Sequence, residues 1–157
     1  MAKIDKSKII EFAVNIEQEG NHYYKKISSK MKDNKIKDVF DDLAEQEKIH
    51  EKIYRNLLKN KNLNINPDYY PEEYYFDYAS KVIFDKDKLE NEFNMIETPV
   101  DAFDFGIRRE LDTILYYQEI KKVLENEDVK NKIDKILNEE RKHFVRLNKL
   151  KDEWLEK

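Results

Sequence analysis

Apolar residues recur every three or four positions in four stretches of the chain, the spacing of helices that each bury one face. The first stretch predicts a helix over 5–32, with Asp5 or Ser7 as N-cap and a stripe of Ile9, Ala13, Ile16, Gly20, Tyr24 and Ile27. A turn near Asp33-Asn34 leads to a second helix over about 35–60, striped by Val39, Phe40, Leu43, Ile53, Tyr54 and Leu57. Residues 61–70 break the pattern with Asn-rich sequence and Pro67. Residues 71–97 carry Tyr74, Tyr75, Tyr78, Val82, Ile83, Phe84, Leu89 and Phe93 and predict one or two short helices. Thr98-Pro99-Val100-Asp101 then reads as a helix start: Thr as N-cap, Pro at the first position, an acid in the first turn. This third helix runs to about Glu125 and carries Phe103, Gly106, Ile107, Ile114 and Tyr117. After a break near Glu127 a fourth helix runs almost to the end, striped by Val129, Ile133, Ile136, Leu147, Leu150 and Trp154. The pattern predicts one all-α domain: a hairpin over 5–60, a crossover over 61–98 and a hairpin over 99–155.

Polar residues interrupt these stripes at particular places. Glu47-Lys48-Ile49-His50 puts Glu47 and His50, three residues apart, on one face of the second helix, and that face is the apolar one. An ionised Glu in a packed core is costly unless something compensates it. The pair recurs as Glu140-Arg141-Lys142-His143, again within the stripe, at an offset of 140 − 47 = 93. The same offset carries Glu17 to Glu110, Tyr23-Tyr24 to Tyr116-Tyr117, Ile27 to Ile120, Ile36 and Phe40 to Val129 and Ile133, and Leu43 to Ile136. Agreement at so many buried-type positions without a gap marks an internal duplication.

Glu17 lies about 16 residues before the first turn and Glu47 about 13 after it. At 1.5 Å per residue these are roughly 24 and 20 Å of helix in opposite directions. The two side chains therefore return to nearly one height, and Glu110 and Glu140 repeat the construction. Four glutamates and two histidines converge on one layer, and no Lys or Arg shares the stripe with them. Four carboxylates carry −4, which two divalent cations balance, so the layer reads as a dinuclear metal site. Glu on two helices and Glu-x-x-His on the other two is the ligand pattern of carboxylate-bridged di-iron and di-manganese bundles, and a crossover of this length suits a ferritin-like four-helix bundle.

Composition narrows the chemistry further. The chain of 157 residues has no Cys, so thiolate metal sites and disulfides are excluded, and oxygen and nitrogen donors suit iron or manganese. Acids (34) and bases (30) are interspersed, so no basic stripe argues for nucleic acid. The start of the chain lacks the apolar run of a signal peptide, and no stretch approaches a membrane span, which fits a cytoplasmic protein.

The chain resembles the erythrin branch of the ferritin-like superfamily, a rubrerythrin-like diiron domain. The resemblance covers about residues 7–60 and 99–155 and rests on Glu17-x6-Tyr24, Glu47-x-x-His50, Glu110-x6-Tyr117 and Glu140-x-x-His143. It implies that Glu47 and Glu140 bridge two iron ions, with manganese as the other candidate metal. Glu17 and His50 would complete one site, Glu110 and His143 the other. Tyr24 and Tyr117 would stand beside the carboxylates and, with Glu47 and Glu140, make up the catalytic set. It further implies peroxide reduction, as in oxidative stress, by a homodimer.

Two departures qualify the resemblance. Rubrerythrins carry a rubredoxin domain with a four-cysteine iron. This chain has no Cys, so electrons are expected from a separate donor such as a rubredoxin-like protein. Rubrerythrins also carry a further Glu three residues after the third-helix ligand, and here that position is Thr113. The symmetric set of four Glu and two His also resembles bacterioferritin ferroxidase centres. Three function classes follow: a diiron oxidoreductase acting on hydrogen peroxide or dioxygen, a ferroxidase that handles iron, and a non-catalytic metal-stabilised bundle.

Two further features compete for attention. Glu19-Gly20-Asn21-His22 is also Glu-x-x-His, yet Glu19 and His22 fall about 200° and 140° from Glu17 on the helical wheel, a polar surface position. The crossover tyrosines Tyr69, Tyr70, Tyr74, Tyr75 and Tyr78 suggest a radical path or a partner surface, but the expectation is that they pin the crossover onto the bundle or fill a dimer interface.

Overall fold

The computed structural model describes residues 6–59, 63, 74, 77–78, 81 and 85–157. Asp5, Pro67, Tyr69, Tyr70, Tyr75, Val82, Ile83 and Phe84 lie outside the described residues. The described residues form helices and no strand: α1 (Lys6–Lys30), α2 (Asn34–Leu58), α3 (Lys86–Asn94), α4 (Pro99–Val123) and α5 (Glu127–Leu155). None is long and apolar enough to cross a membrane. The described residues pack as an all-α bundle of four long helices, with α1 packed on α2 and α4 packed on α5.

Local sequence explains where the helices begin. The Asp33 side chain accepts from the Ile36 N–H and starts α2. Thr98 and Asp101 form a capping box, with Pro99 at the first position where its missing N–H is harmless. Asn126 accepts from the N–H groups of Asp128 and Val129 and starts α5. Each such cap contributes about 1 kcal/mol.

The apolar core lies in two clusters. One contains Ile10, Ala13, Tyr54, Leu57, Tyr117, Ile120, Ile133 and Ile136. The other contains Tyr24, Ile27, Phe40, Leu43, Phe103, Phe105 and Leu147. In every long helix the sequence passes from one cluster to the other through a buried acid: Glu17, Glu47, Glu110 and Glu140. A polar layer therefore cuts the core in two. The two halves hold it together, since a fully buried side chain such as Phe40 or Leu43 contributes about 1.5–3 kcal/mol.

Among the described residues, the crossover is fixed to the bundle through Leu63, Tyr78 and a short helix. Helix α3 buries Leu89 and Phe93 in the second cluster, and the Lys30 ammonium donates to the carbonyls of Phe93 and Ile96. Tyr78 packs on the first cluster, its ring parallel to that of Tyr116 at a centroid distance of 6.1 Å. Its hydroxyl donates to the Asp112 carbonyl at 3.4 Å.

Candidate metal centre

The polar layer holds Glu17 from α1, Glu47 and His50 from α2, Glu110 from α4, and Glu140 and His143 from α5. All six are buried. Helical spacing accounts for this: i and i+3 share a face, so each Glu-x-x-His pair turns both groups inward together.

Two groups of ligating atoms form within the layer. Glu17, Glu47, His50 and Glu140 each offer an atom within 4.8 Å of the others. Glu47, Glu110, Glu140 and His143 do the same. Glu47 and Glu140 belong to both groups, so the layer is two adjoining pockets that share two carboxylates. Nδ1 of His50 lies 3.0 Å from Oε1 of Glu140 and 3.6 Å from Oε2 of Glu17. Nδ1 of His143 lies 3.1 Å from Oε2 of Glu140, 3.6 Å from Glu110 and 3.7 Å from Glu47. Glu140 thus faces one imidazole with each of its oxygens, and the two rings lie nearly parallel with centroids 6.1 Å apart.

Tyrosines complete the layer across the hairpins. The Tyr24 hydroxyl of α1 donates to Oε1 of Glu110 at 2.7 Å, and the Tyr117 hydroxyl of α4 donates to Oε1 of Glu17 at 2.5 Å. These bonds are related by the 93-residue repeat and tie each hairpin to the other. Burial pushes both phenols well above their ordinary range, so both remain proton donors.

The electrostatics of the layer are not symmetric. Burial and the Glu140 charge push Glu17 and Glu47 well above the usual carboxylate range and Glu110 up to about 8. Burial acts on Glu140 in the same sense, but hydrogen bonds from His143 and His50 outweigh it and hold Glu140 well below that range. Burial would lower both imidazoles. Glu140 outweighs it at His50, and Glu110 with Glu140 at His143, raising each to about 10. Without a cation, protons take the place of metal charge: the histidines carry them and three glutamates keep them.

These residues fit a pair of cations. Among the described residues, Oε2 of Glu17 and Oε2 of Glu110 are buried and meet no hydrogen-bond partner. They sit on the two unshared glutamates, one in each pocket. A buried carboxylate oxygen left unpaired is costly, and a cation would satisfy it. The buried carboxylate and imidazole donors are compatible with iron.

Three residues escaped the sequence reading. Glu139 is half-exposed, yet its Oε2 lies 2.5 Å from Nε2 of His50. That contact leaves Nδ1 of His50 facing the layer, the usual way an outer carboxylate orients a ligating imidazole. Position 46, its counterpart at the 93-residue offset, is Gln46, so only one histidine has an outer carboxylate from the repeat. Adjacency to Glu140 was the only signal for Glu139. Arg109 is also buried, contrary to the expectation that no Arg enters the stripe. Its guanidinium donates to the Ile16 carbonyl at 3.3 Å, and the ion pairs reaching the layer come from His50 and His143. Gly20 lies against Glu47, and nothing in its sequence context signals that contact. His22 is exposed, its ring edge-on to Tyr23 and apart from the layer.

A four-helix bundle with Glu on two helices and Glu-x-x-His on the other two defines a carboxylate–histidine bundle protein. The chain belongs to the rubrerythrin family, whose family model matches residues 8–151. A crystal structure from Thermotoga maritima, described as a candidate ferritin-like diiron-carboxylate protein, is similar to this chain with a TM-score of 0.70 and 26% identity, covering 98% of each. No curated protein sequence matches.

Proposed function

We propose that this chain is a non-haem diiron oxidoreductase that reduces hydrogen peroxide with electrons from a separate donor. The observation that carries the reading is the sharing of Glu47 and Glu140 by two ligand groups, each completed by one Glu and one His. In this reading Glu47 and Glu140 would be shared by two irons, Glu17 and His50 would complete one site, and Glu110 and His143 would complete the other. Manganese would find the same donors acceptable. A pair of irons held by these residues would supply two electrons and polarise a bound oxygen substrate.

The protein's own groups do the rest. The bridging carboxylates and their neighbours supply the negative charge that offsets two divalent cations. Glu139 fixes the orientation of His50 through Nε2. Tyr24 and Tyr117 donate to Glu110 and Glu17, holding one oxygen of each and leaving the other for a metal. The apolar clusters on either side keep bulk water from the layer and strengthen each of these interactions. The donor would be a rubredoxin-like protein, since the chain has no Cys to hold a relay iron of that type. A homodimer is the working assembly in this reading, and Leu111 and Leu115, exposed one turn apart on α4, offer apolar surface for it.

Ferroxidase activity is the second reading. Position 113 is a buried Thr and its repeat counterpart is Gly20, so neither half carries the further Glu of rubrerythrins. A fixed set of four Glu and two His favours iron oxidation over ligand exchange. The test is metal analysis of iron-loaded protein followed by anaerobic titration of the reduced form. Two irons per chain and faster oxidation by peroxide than by dioxygen are expected. One iron or none after loading overturns the dinuclear site, and oxidation by dioxygen with indifference to peroxide overturns the peroxidase in favour of the ferroxidase.

A further inference from the structure

Among the described residues, tyrosine rings in contact lead from the polar layer to the surface on the Glu17 side. Tyr117 donates to Glu17, and its ring meets that of Tyr116 at a centroid distance of 6.2 Å. Tyr116 is parallel to Tyr78 within 1°, at 6.1 Å. Tyr78 stacks on Tyr74 at 6.1 Å and 11°, and Tyr74 is 46% exposed. Four phenols thus form a chain of close ring contacts from a buried carboxylate to solvent.

Among the described residues, the other half of the duplication shows no such chain. Position 116 maps to Tyr23 (116 − 93 = 23), whose ring meets Phe93 and Phe105 at 5.8 and 5.6 Å. Tyr24, the counterpart of Tyr117, meets Phe40 at 5.8 Å. Phenylalanine has no hydroxyl proton to release and is far harder to oxidise than tyrosine. The ammoniums of Lys26 and Lys30 each lie 4.2 Å from the Phe93 ring centre and oppose positive charge there. The Glu110 side is therefore insulated where the Glu17 side is connected.

We propose that Tyr117, Tyr116, Tyr78 and Tyr74 form a relay that carries oxidising equivalents from the polar layer to the surface at Tyr74. The proposal rests on the redox reading of the layer. Reduction of one hydrogen peroxide breaks its O–O bond, consumes two electrons and two protons, and yields two waters. A first peroxide would draw its two electrons from the reduced metal pair. A second one, met before a donor arrives, must take its two electrons from the protein, one at a time. Tyr117 gives an electron and its Oη proton shifts along the hydrogen bond to Glu17. An electron from Tyr116 then refills Tyr117, and the proton returns. At Tyr116 and Tyr78 the hydroxyl proton shifts along its hydrogen bond toward the carbonyl of Ile9 or Asp112 as the electron passes inward, and returns when the next ring refills the phenol. The net loss at the end of the relay is one electron and one phenolic proton from Tyr74, the proton going to water. The second electron follows the same route after a donor has refilled Tyr74, or comes from a relay tyrosine when none is present. The relay thus clears strong oxidant from the core and delivers it where an external donor can reach it.

The test treats the full iron-loaded, reduced protein with excess hydrogen peroxide, without a donor, in the presence of a nitroso spin trap. Iron oxidation is followed by absorbance and trapped tyrosine is located by peptide mass spectrometry. Wild type is expected to carry the adduct at Tyr74. Tyr78→Phe keeps the stacked ring but removes the oxidisable hydroxyl, and it should lose the Tyr74 adduct while its iron still oxidises. Tyr116→Phe should do the same, and Tyr23→Phe, on the insulated side, should leave the Tyr74 adduct intact. Iron oxidation without an adduct at Tyr74 in wild type, or an undiminished adduct in both Tyr78→Phe and Tyr116→Phe, overturns the relay and leaves the redox reading standing. Failure of peroxide to oxidise the iron overturns that reading and the relay with it.

Discussion

A methyl group added at Gly20 would lie 3.0 Å from Oε2 of Glu47 and 3.2 Å from its Cγ and Cδ. The absence of a side chain at Gly20 gives the shared carboxylate its place. In a free layer Glu47 can lean away by a few tenths of an ångström. A carboxylate clamped between two cations has less freedom.

Gly20→Ala is therefore expected to separate folding from metal binding. Alanine favours the helix over glycine by about 1 kcal/mol, so the metal-free variant should be as stable as wild type or slightly more so. The rise in melting temperature on adding ferrous iron should be smaller than in wild type. Paired thermal melts with iron and with chelator measure both quantities. An unchanged or larger metal-induced rise would refute the steric argument.

The two shared glutamates should respond unequally to neutralisation. Glu47 is driven upward by burial and by the Glu140 charge, so it resists ionisation in the metal-free layer. Glu140 is the anion that both imidazoles surround. Glu47→Gln should leave the metal-free fold as stable as wild type near neutral pH. Glu140→Gln should lose on the order of 3 kcal/mol, the cost of breaking a buried charge pair by removing one partner. Denaturant titrations in chelator rank the three proteins. Equal losses in both variants would contradict the asymmetry.

The metal-free bundle should weaken as pH rises. Glu110 moves from an ordinary 4.5 up to about 8 on folding, and the histidines from 6.5 up to about 10. Each group binds its proton more tightly in the folded state, so its contribution is fully present below the unfolded value and is lost as pH climbs through the folded one. Stability should fall from about pH 4.5 upward for Glu110 and between about pH 6.5 and 10 for the histidines. Metal affinity should move the other way, because binding expels those protons. Denaturation in chelator from pH 5 to about 9 tests the first trend, and iron affinity over the same range tests the second. Stability that climbs with pH in chelator would be incompatible with this charge arrangement.

His22→Ala should retain the full wild-type metal content. The side chain is exposed and touches the Tyr23 ring at 5.2 Å rather than the layer. Loss of a metal equivalent in this variant, measured by metal analysis after iron loading, would mean that α1 is rotated from its described register.

The sequence by itself determined the four long helices, their pairing and the six residues that meet. Those features follow from local periodicity and from the 93-residue repeat, which fix the buried face and the height of each residue along it. The Glu-x-x-His pairs stood out because their polar groups sit in apolar stripes, a cost no chain carries without compensation. Only the tertiary structure decided how those groups share charge. Both Glu47 and Glu140 are repeats of one motif, yet the hydrogen bonds from the two imidazoles fall on Glu140. Glu139 and Gly20 gained their contacts with His50 and Glu47 only when neighbouring helices closed on each other. The stack from Tyr74 to Tyr116 likewise joins residues 42 positions apart (116 − 74 = 42), a distance over which no periodicity carries information. Periodicity along a helix specifies which face is buried, and only packing across helices specifies which atom each buried group meets.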